Sequence, residues 1–338
     1  MSLAEGQREG YVPEFNVRTD LALEAREIVQ ERTAEEMPGV AVEQTREDGV
    51  TIHLVKVETR EAAQRLGKAP GNYLTLEAPG LRQKDTDLQD RLTDILAREL
   101  IKFLPLPDKL EESVLIVGLG NWNVTPDALG PKVVGDLLVT RHLKLMKHQA
   151  FQEGYRSTCA LAPGVLGITG IETSEIVRAL VQQVKPSLVI AIDALAAHRL
   201  ERLHTTIQVA DAGVNPGSGV GNNRVGINKE TVGVPVVAIG VPTVVEASTI
   251  AGDTMDALVQ AFKKQSRAPE LVIGMEGQSW EERQMLVKSV LEPFVGRLMV
   301  TPKEIDTFID DISLVIAAAL NTALHPKVRS SEGGKYLQ

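Results

Sequence analysis

The chain has 338 residues, 43% of them apolar, and a formal net charge of −9, so it is long enough to bury one large domain, or a domain with an appendage. That acidic balance gives no basic field to draw phosphate and disfavours direct binding of nucleic acid. A single cysteine, Cys159, excludes an intramolecular disulfide and a cysteine-based zinc cluster, in keeping with a reducing compartment.

Residues 1 to about 49 are polar and acidic, with a helical candidate over Asp20 to Glu35 that ends at MPGV, and they read as an N-terminal extension. From Val50 onward, short β-rich runs alternate with amphipathic stretches. TIHLVKV and YLTLEA are followed by a helical pattern over Thr86 to Phe103 and the strand SVLIVGLG. Helices are predicted from about Pro126 to Met146 and from Glu172 to Val184, then the strand SLVIAID, the run TTIQVAD and the glycine-rich loop NPGSGVGNN. The strand PVVAIGVP, a helix from about Val244 to Lys264 and a polar surface excursion over Lys264 to Glu282 come next. Near the end, TPKE offers Thr301 as an N-cap, Pro302 at the first helical position and Glu304 to close a capping box. The tail beyond residue 330 is polar. This alternation predicts an α/β fold: a mostly parallel, doubly wound sheet flanked by helices, in a single domain over residues 21–330.

No secretory-type apolar run stands among the first thirty residues, and the longest apolar stretch, Pro235 to Val245, is interrupted by Gly240 and Pro242. A soluble, cytoplasmic protein with no membrane partner is expected. In STCALAPG, Cys159 reads as a small buried hydrophobe.

Two acids carry the chemistry. Asp127 follows the strand and glycine turn of VGLGNWNVTPDALGP, and Asp193 closes the apolar run LVIAID. A parallel sheet gathers ligands at the carboxyl ends of its strands, so the two acids are expected to meet in one cleft, as in a hydrolase. Thr125 can cap a helix that starts at Pro126, placing Asp127 near free N–H groups and favouring its anion. Asp193 follows five apolar residues, and its desolvation favours the protonated form. Asp127 as base and Asp193 as acid is the assignment that follows; the reverse is chemically open. Each acid also has a purely structural reading, Asp127 as a first-turn helix acid and Asp193 as a cap on ALAAHR.

Supporting candidates are weaker. Glu172 stands at a helix start after GITGI, equally suited to helix stability and to substrate binding. Gly217, Gly219 and Gly221 offer backbone N–H groups, but G-S-G-V-G is not G-x-G-x-x-G and has no Walker lysine. The six histidines show no H-E-x-x-H and no metal spacing; His198 and His204 read as surface or packing residues. No G-x-S-x-G elbow occurs. Neither a metal nor a cofactor is expected.

GLGNWNVTPDALGP, LVTRHL, PGVLGITGIETSEI, IAIDALAA, NPGSGVGNN and IGVPTVV, in this order, resemble the germination protease of spore-forming bacteria, over about Asn16 to His325. The resemblance implies a phosphorylase/hydrolase-like fold and an atypical aspartic-type endopeptidase with Asp127 and Asp193 as catalytic acids. It further implies small acid-soluble spore proteins as substrate, a homotetramer, and a zymogen made in the forespore and active in the germinating spore core. Substrates of the family are cut after an acid, and Thr19-Asp20-Leu21-Ala22-Leu23-Glu24 is similar to such a site. Self-processing between Asp20 and Leu21 would then remove residues 1–20 as a propeptide that covers the cleft; as a structural element alone, Asp20 is a helix cap. GLGN and the later Ile192-Asp193-Ala194 also resemble hydrogenase-maturation endopeptidases, and GLGN peptidyl-tRNA hydrolase. A noncatalytic spore-protein binder is the reading from another class; an intact ligand would distinguish it.

Overall fold

The computed structural model describes residues 19–33, 37–146, 154–217, 224–264, 286, 287, 289, 290, 293 and 298–330. Strands β4 (Val114–Gly118) and β6 (Leu188–Ala197) are apolar on both faces, which suits strands covered on either side by helices. Alternation divides their side chains. Val114, Ile116, Leu188, Ile190 and Ile192 pack with helices α3 (Thr86–Phe103) and α10 (Ile305–Leu324). Leu115, Val117, Val189 and Ala191 pack with α7 (Thr173–Val184) on the other face. Helix α10 is long and apolar enough to cross a membrane, yet 72% of its apolar 18-residue stretch is buried, as suits a core helix.

Among the described residues nine strands form one sheet. The main path runs β1 (Val40–Glu47), β2 (Val50–Val57), β3 (Gly71–Glu77), β7 (Thr206–Ala210), β8 (Val236–Glu246), β6, β4 and β5 (Thr158–Leu161), with β9 (Met299–Val300) on β8. Parallel pairing is confined to β5, β4, β6 and β8. The remaining pairs are antiparallel, so the sheet is mixed and the expected mostly parallel arrangement holds only in one half. Connection length explains the difference: Asp48 and Gly49, with φ of 46° and 85°, make a two-residue turn that can join β1 and β2 only antiparallel.

The N-terminal region is integrated into this domain. Helix α1 (Ala22–Thr33) places Ala22, Ala25 and Val29 against Val55, Val57, Tyr73 and Leu66 of α2 (Arg60–Leu66). A polar clamp adds to this contact. Arg202 donates to both carboxyl oxygens of Glu27 at 2.8 and 2.7 Å and also to Glu77, which His53 meets at 2.9 Å.

Four local expectations are corrected. The single helix over 126–146 is broken into a 3₁₀ turn at Thr125–Asp127, α4 (Leu129–Gly135) and α5 (Arg141–Leu145). Asn321 of α10 makes the break tolerable, accepting from Leu138 N–H at 2.9 Å and donating to the Asp136 carbonyl at 3.2 Å. Strand β8 extends to Glu246, delaying α9 to Ala247–Lys264. At the start of α10 the N-cap position is Glu304, while the Thr301 hydroxyl donates to the Thr243 carbonyl at 2.8 Å instead of capping. Strand β6 does not stop at Asp193 but continues to Ala197, with a register shift after Leu195. Residues 265–282 of the excursion and the tail from 331 lie outside the described residues. Cys159 is half-buried, its thiol 3.8 Å from the Val114 carbonyl.

Replacing Arg202 by alanine leaves Glu27 and Glu77 without their shared cation. Because both carboxylates keep some solvent, the expected loss is on the order of 2 kcal/mol, read as a lower denaturant midpoint with an unchanged slope.

Candidate active site

The end of β4 is a close approach of backbones. A Cβ on Gly118 would stand 2.2 Å from the Gly130 carbonyl oxygen, and one on Gly130 would stand 2.3 Å from that of Leu119. Glycine at both positions lets α4 press onto the strand end. Leu119 N–H then donates to the Ile192 carbonyl at 2.8 Å, tying this turn to β6. Gly120, with φ of 115°, starts a loop in which Asn121 N–H donates to the Asp127 carbonyl at 3.0 Å and Asp127 N–H donates to Val124 at 2.8 Å. These bonds aim Asp127. Thr125 does not cap here: the N-cap position falls on Val124, and Thr125 and Pro126 lie inside the 3₁₀ turn. The loop's own hydrogen bonds have taken the capping role.

Asp193 lies within β6, on the face that Val189 and Ala191 direct toward α7, and is 7% exposed. Its carboxylate accepts from Ala194 N–H at 3.0 Å. Across the ladder stands Gly240 of β8. Because β6 runs on past it, Asp193 caps no helix.

The two acids meet in a cleft of about 390 Å³, lined also by Asp20, Gly217, Arg224 and Thr243. Burial pushes the Asp127 carboxyl up to about 6, against the opposing pull of Asn121 N–H and Arg224. Asp193 is raised well above the carboxylate range, by burial first and then by the charges of Asp127 and Asp20. Near neutral pH Asp127 is therefore ionised, while burial and the neighbouring charges push Asp193 toward its protonated form. This is the division of labour that acid–base hydrolysis needs.

Other expected site residues divide. Gly217, at φ of 71°, lines the cleft; Gly219 and Gly221 lie outside the described residues. Glu172 holds the N-cap position of α7 without a side-chain cap bond, and its neighbour Thr173, not Glu172, lines the cleft. Asp20 reaches the cleft as a partner of β6: its N–H donates to the Ala196 carbonyl at 3.0 Å and its carboxylate accepts from Ala196 N–H at 2.8 Å. Leu21 is fully buried, with Leu195, Ala197, Leu203 and Val245. His204 is a packing residue, stacked on Phe308 at 3.8 Å between ring centroids. Arg224 and Thr243 gave no signal in the sequence, nor did Lys68 and Gln208, which hold the Thr19–Ala22 segment. Among the described residues no cluster of His, Cys, Asp or Glu is suited to holding a metal ion.

An α/β scaffold bearing a cleft with two carboxyls of unequal basicity is the equipment of a hydrolytic enzyme. A family model described as germination protease matches residues 19–273 and 265–337. The chain is 50% identical over 324 residues to the germination protease of Caldanaerobacter subterraneus subsp. tengcongensis, covering 96% of this chain and 98% of that relative. It is 45% identical to those of Clostridium tetani, over 96% of this chain and 100% of the relative, and of Bacillus cereus strain AH187, over 95% and 97%. The chain belongs to the germination protease family and is a peptidase of spore germination. That membership leaves the hydrogenase-maturation, peptidyl-tRNA hydrolase and noncatalytic-binder readings without support.

A raised Asp193 carboxyl has a consequence for stability. Folding keeps a proton on this group that the unfolded chain releases at a lower pH, so the stability it contributes is complete in acid and is lost as pH rises toward its folded pKa. Asp193→Asn imitates the protonated form at every pH. Its melting midpoint is expected to exceed that of the wild type at pH 8, by an amount that shrinks toward pH 4; calorimetry showing a pH-independent gap would contradict the assignment.

Proposed function

We propose that this peptidase cuts small acid-soluble spore proteins by an aspartic-type mechanism and is made as a zymogen that cuts itself between Asp20 and Leu21. The observation that carries this reading is the position of Asp20. The acid that TDLALE marks as the cleavage residue lines the same cleft as Asp127 and Asp193. In the intact chain that segment occupies space a substrate would need, which accounts for an inactive precursor.

In this mechanism ionised Asp127 takes a proton from water as the oxygen attacks the carbonyl carbon of the acidic residue. Protonated Asp193 then delivers its proton to the departing amide nitrogen as the C–N bond breaks, leaving a carboxyl group and an amine. The Arg224 side chain, through its charge, keeps Asp127 from rising further and so keeps it available as the base near neutral pH. The family's name, the acidic cleavage segment and the cleft support this reading. With it go a doubly wound, phosphorylase/hydrolase-like description of the fold, a homotetramer, removal of residues 1–20 as propeptide, and residence in the cytoplasm of the forespore and spore core.

Mass spectrometry of a small acid-soluble spore protein, after incubation with the full chain or a form beginning at Leu21, tests the reading. Fragments ending in the acidic residue are expected from the Leu21 form, with turnover reduced on the order of 10³-fold in both Asp127→Asn and Asp193→Asn. Fragments that persist in either variant would remove that acid from the mechanism. The wild-type rate should rise through about pH 6 as Asp127 ionises and fall at higher pH as Asp193 loses its proton.

A further inference from the structure

The backbone around the Asp20–Leu21 bond is fully engaged, and one side chain spans the bond itself. Gln208, on β7 and 7% exposed, donates from Nε2 to the Asp20 carbonyl oxygen at 3.1 Å and accepts at Oε1 from Ala22 N–H at 2.7 Å. Reversing the carboxamide would set donor against donor at Ala22, so the second bond fixes the direction of the first. The neighbouring groups have partners of other kinds. Thr19 carbonyl accepts from Lys68 Nζ at 2.6 Å, Asp20 N–H pairs with Ala196, and Leu21 N–H donates to the Thr19 hydroxyl at 3.1 Å. Along this stretch the carbonyl of the scissile bond alone receives a side-chain amide. It does so beside the buried side chains of Thr19, Leu21 and Glu24, and burial pushes the nearby Lys68 ammonium below the ordinary lysine range against the pull of Asp20 and Glu24.

We infer that Gln208 is a catalytic residue of self-processing, the donor that stabilises the oxyanion. The inference rests on the reading that the chain cuts itself after Asp20. When water adds to the Asp20 carbonyl carbon, the C=O π pair moves to oxygen and the water's proton goes to the base. Gln208 Nε2–H is already aimed at that oxygen, so its hydrogen bond strengthens as charge develops and needs no reorganisation. Collapse of the adduct restores the carbonyl and breaks the C–N bond as Asp193 delivers its proton to the nitrogen, releasing Leu21 as an amine. Lys68 and the Ala196 backbone position the segment from its N-terminal side.

The test is the self-processing rate of the full chain, followed by intact mass, for the wild type, Gln208→Glu and Gln208→Ala. Assayed at a pH where it is ionised, glutamate retains an acceptor for Ala22 N–H and removes the donor, so it separates oxyanion stabilisation from support of α1. Both variants should slow the appearance of the Leu21 terminus by on the order of 10²-fold, with a rate independent of protein concentration in the wild type. Melting midpoints report whether each variant is folded; if the glutamate variant is not, the alanine variant decides by the same criterion. A folded variant that processes at the wild-type rate overturns the inference and leaves the proposed function standing. So does a wild-type rate that scales with concentration, since the bond would then be cut in another chain's cleft. A wild-type chain that never yields Leu21 under activating conditions overturns the zymogen reading, and this inference with it.

Discussion

A carboxyl group buried within the central sheet, beside two other acids, is the constraint on which the rest of this molecule depends. Ionising Asp193 there would cost several kcal/mol, whereas keeping it neutral with one backbone N–H partner costs about 1–3 kcal/mol. Strand β6 can carry that smaller cost. Leu188, Val189, Ile190 and Ile192 are each fully buried, and together they contribute on the order of 8 kcal/mol of apolar burial. The same packing that makes β6 a core strand therefore raises the pKa of Asp193 and makes it hard to ionise. Stability and chemistry have one cause.

The second carboxyl differs because its surroundings differ. Asp127 sits on a turn, where Asn121 N–H and Arg224 oppose desolvation and hold the group near 6. That turn reaches the cleft only because Gly118 and Gly130 let strand and helix backbones touch. Two chemically identical side chains are thus separated in basicity by one being inside a strand and the other beyond the end of one. A side chain at either glycine would move the turn, and with it Asp127, while leaving Asp193 in place.

What could be read from sequence follows the range of the forces involved. The helix over Thr86–Phe103 was legible to the residue, because its apolar period is local and Asp85 caps it, accepting from Leu88 N–H at 3.0 Å. Asp127 and Asp193 were legible from a glycine turn and an apolar run. Strand β1 was hidden by its polar composition, as befits an edge strand whose residues are mostly exposed. The break after Gly135 depends on Asn321, which bonds Leu138 from 183 residues away, and no local pattern announces it. β6 beyond Asp193 reads ALAA, with little β preference of its own, and is held by pairing with β8. Asp20 was placed near the chemistry only by family resemblance, since its partners on β6 lie 176 residues further on.

The segment before α1 carries the last step. The Thr19 hydroxyl accepts from Leu21 N–H and donates to the Glu24 carboxylate, which also accepts from His198 N–H at 2.8 Å and Arg199 N–H at 2.5 Å. If Thr19 and Asp20 leave on processing, Leu21 N becomes an ammonium and Glu24 loses a donor, and both had bonded the same hydroxyl. A cation and an anion are then left as neighbours in a buried place, where pairing is favoured because each would otherwise stand desolvated and alone. Lys68, which is half-buried, would lose the Thr19 carbonyl at the same moment, leaving its ammonium one acceptor fewer. Loss of Thr19 and Asp20 would thus exchange a set of neutral and ionic contacts for a self-paired N-terminus and a vacated donor.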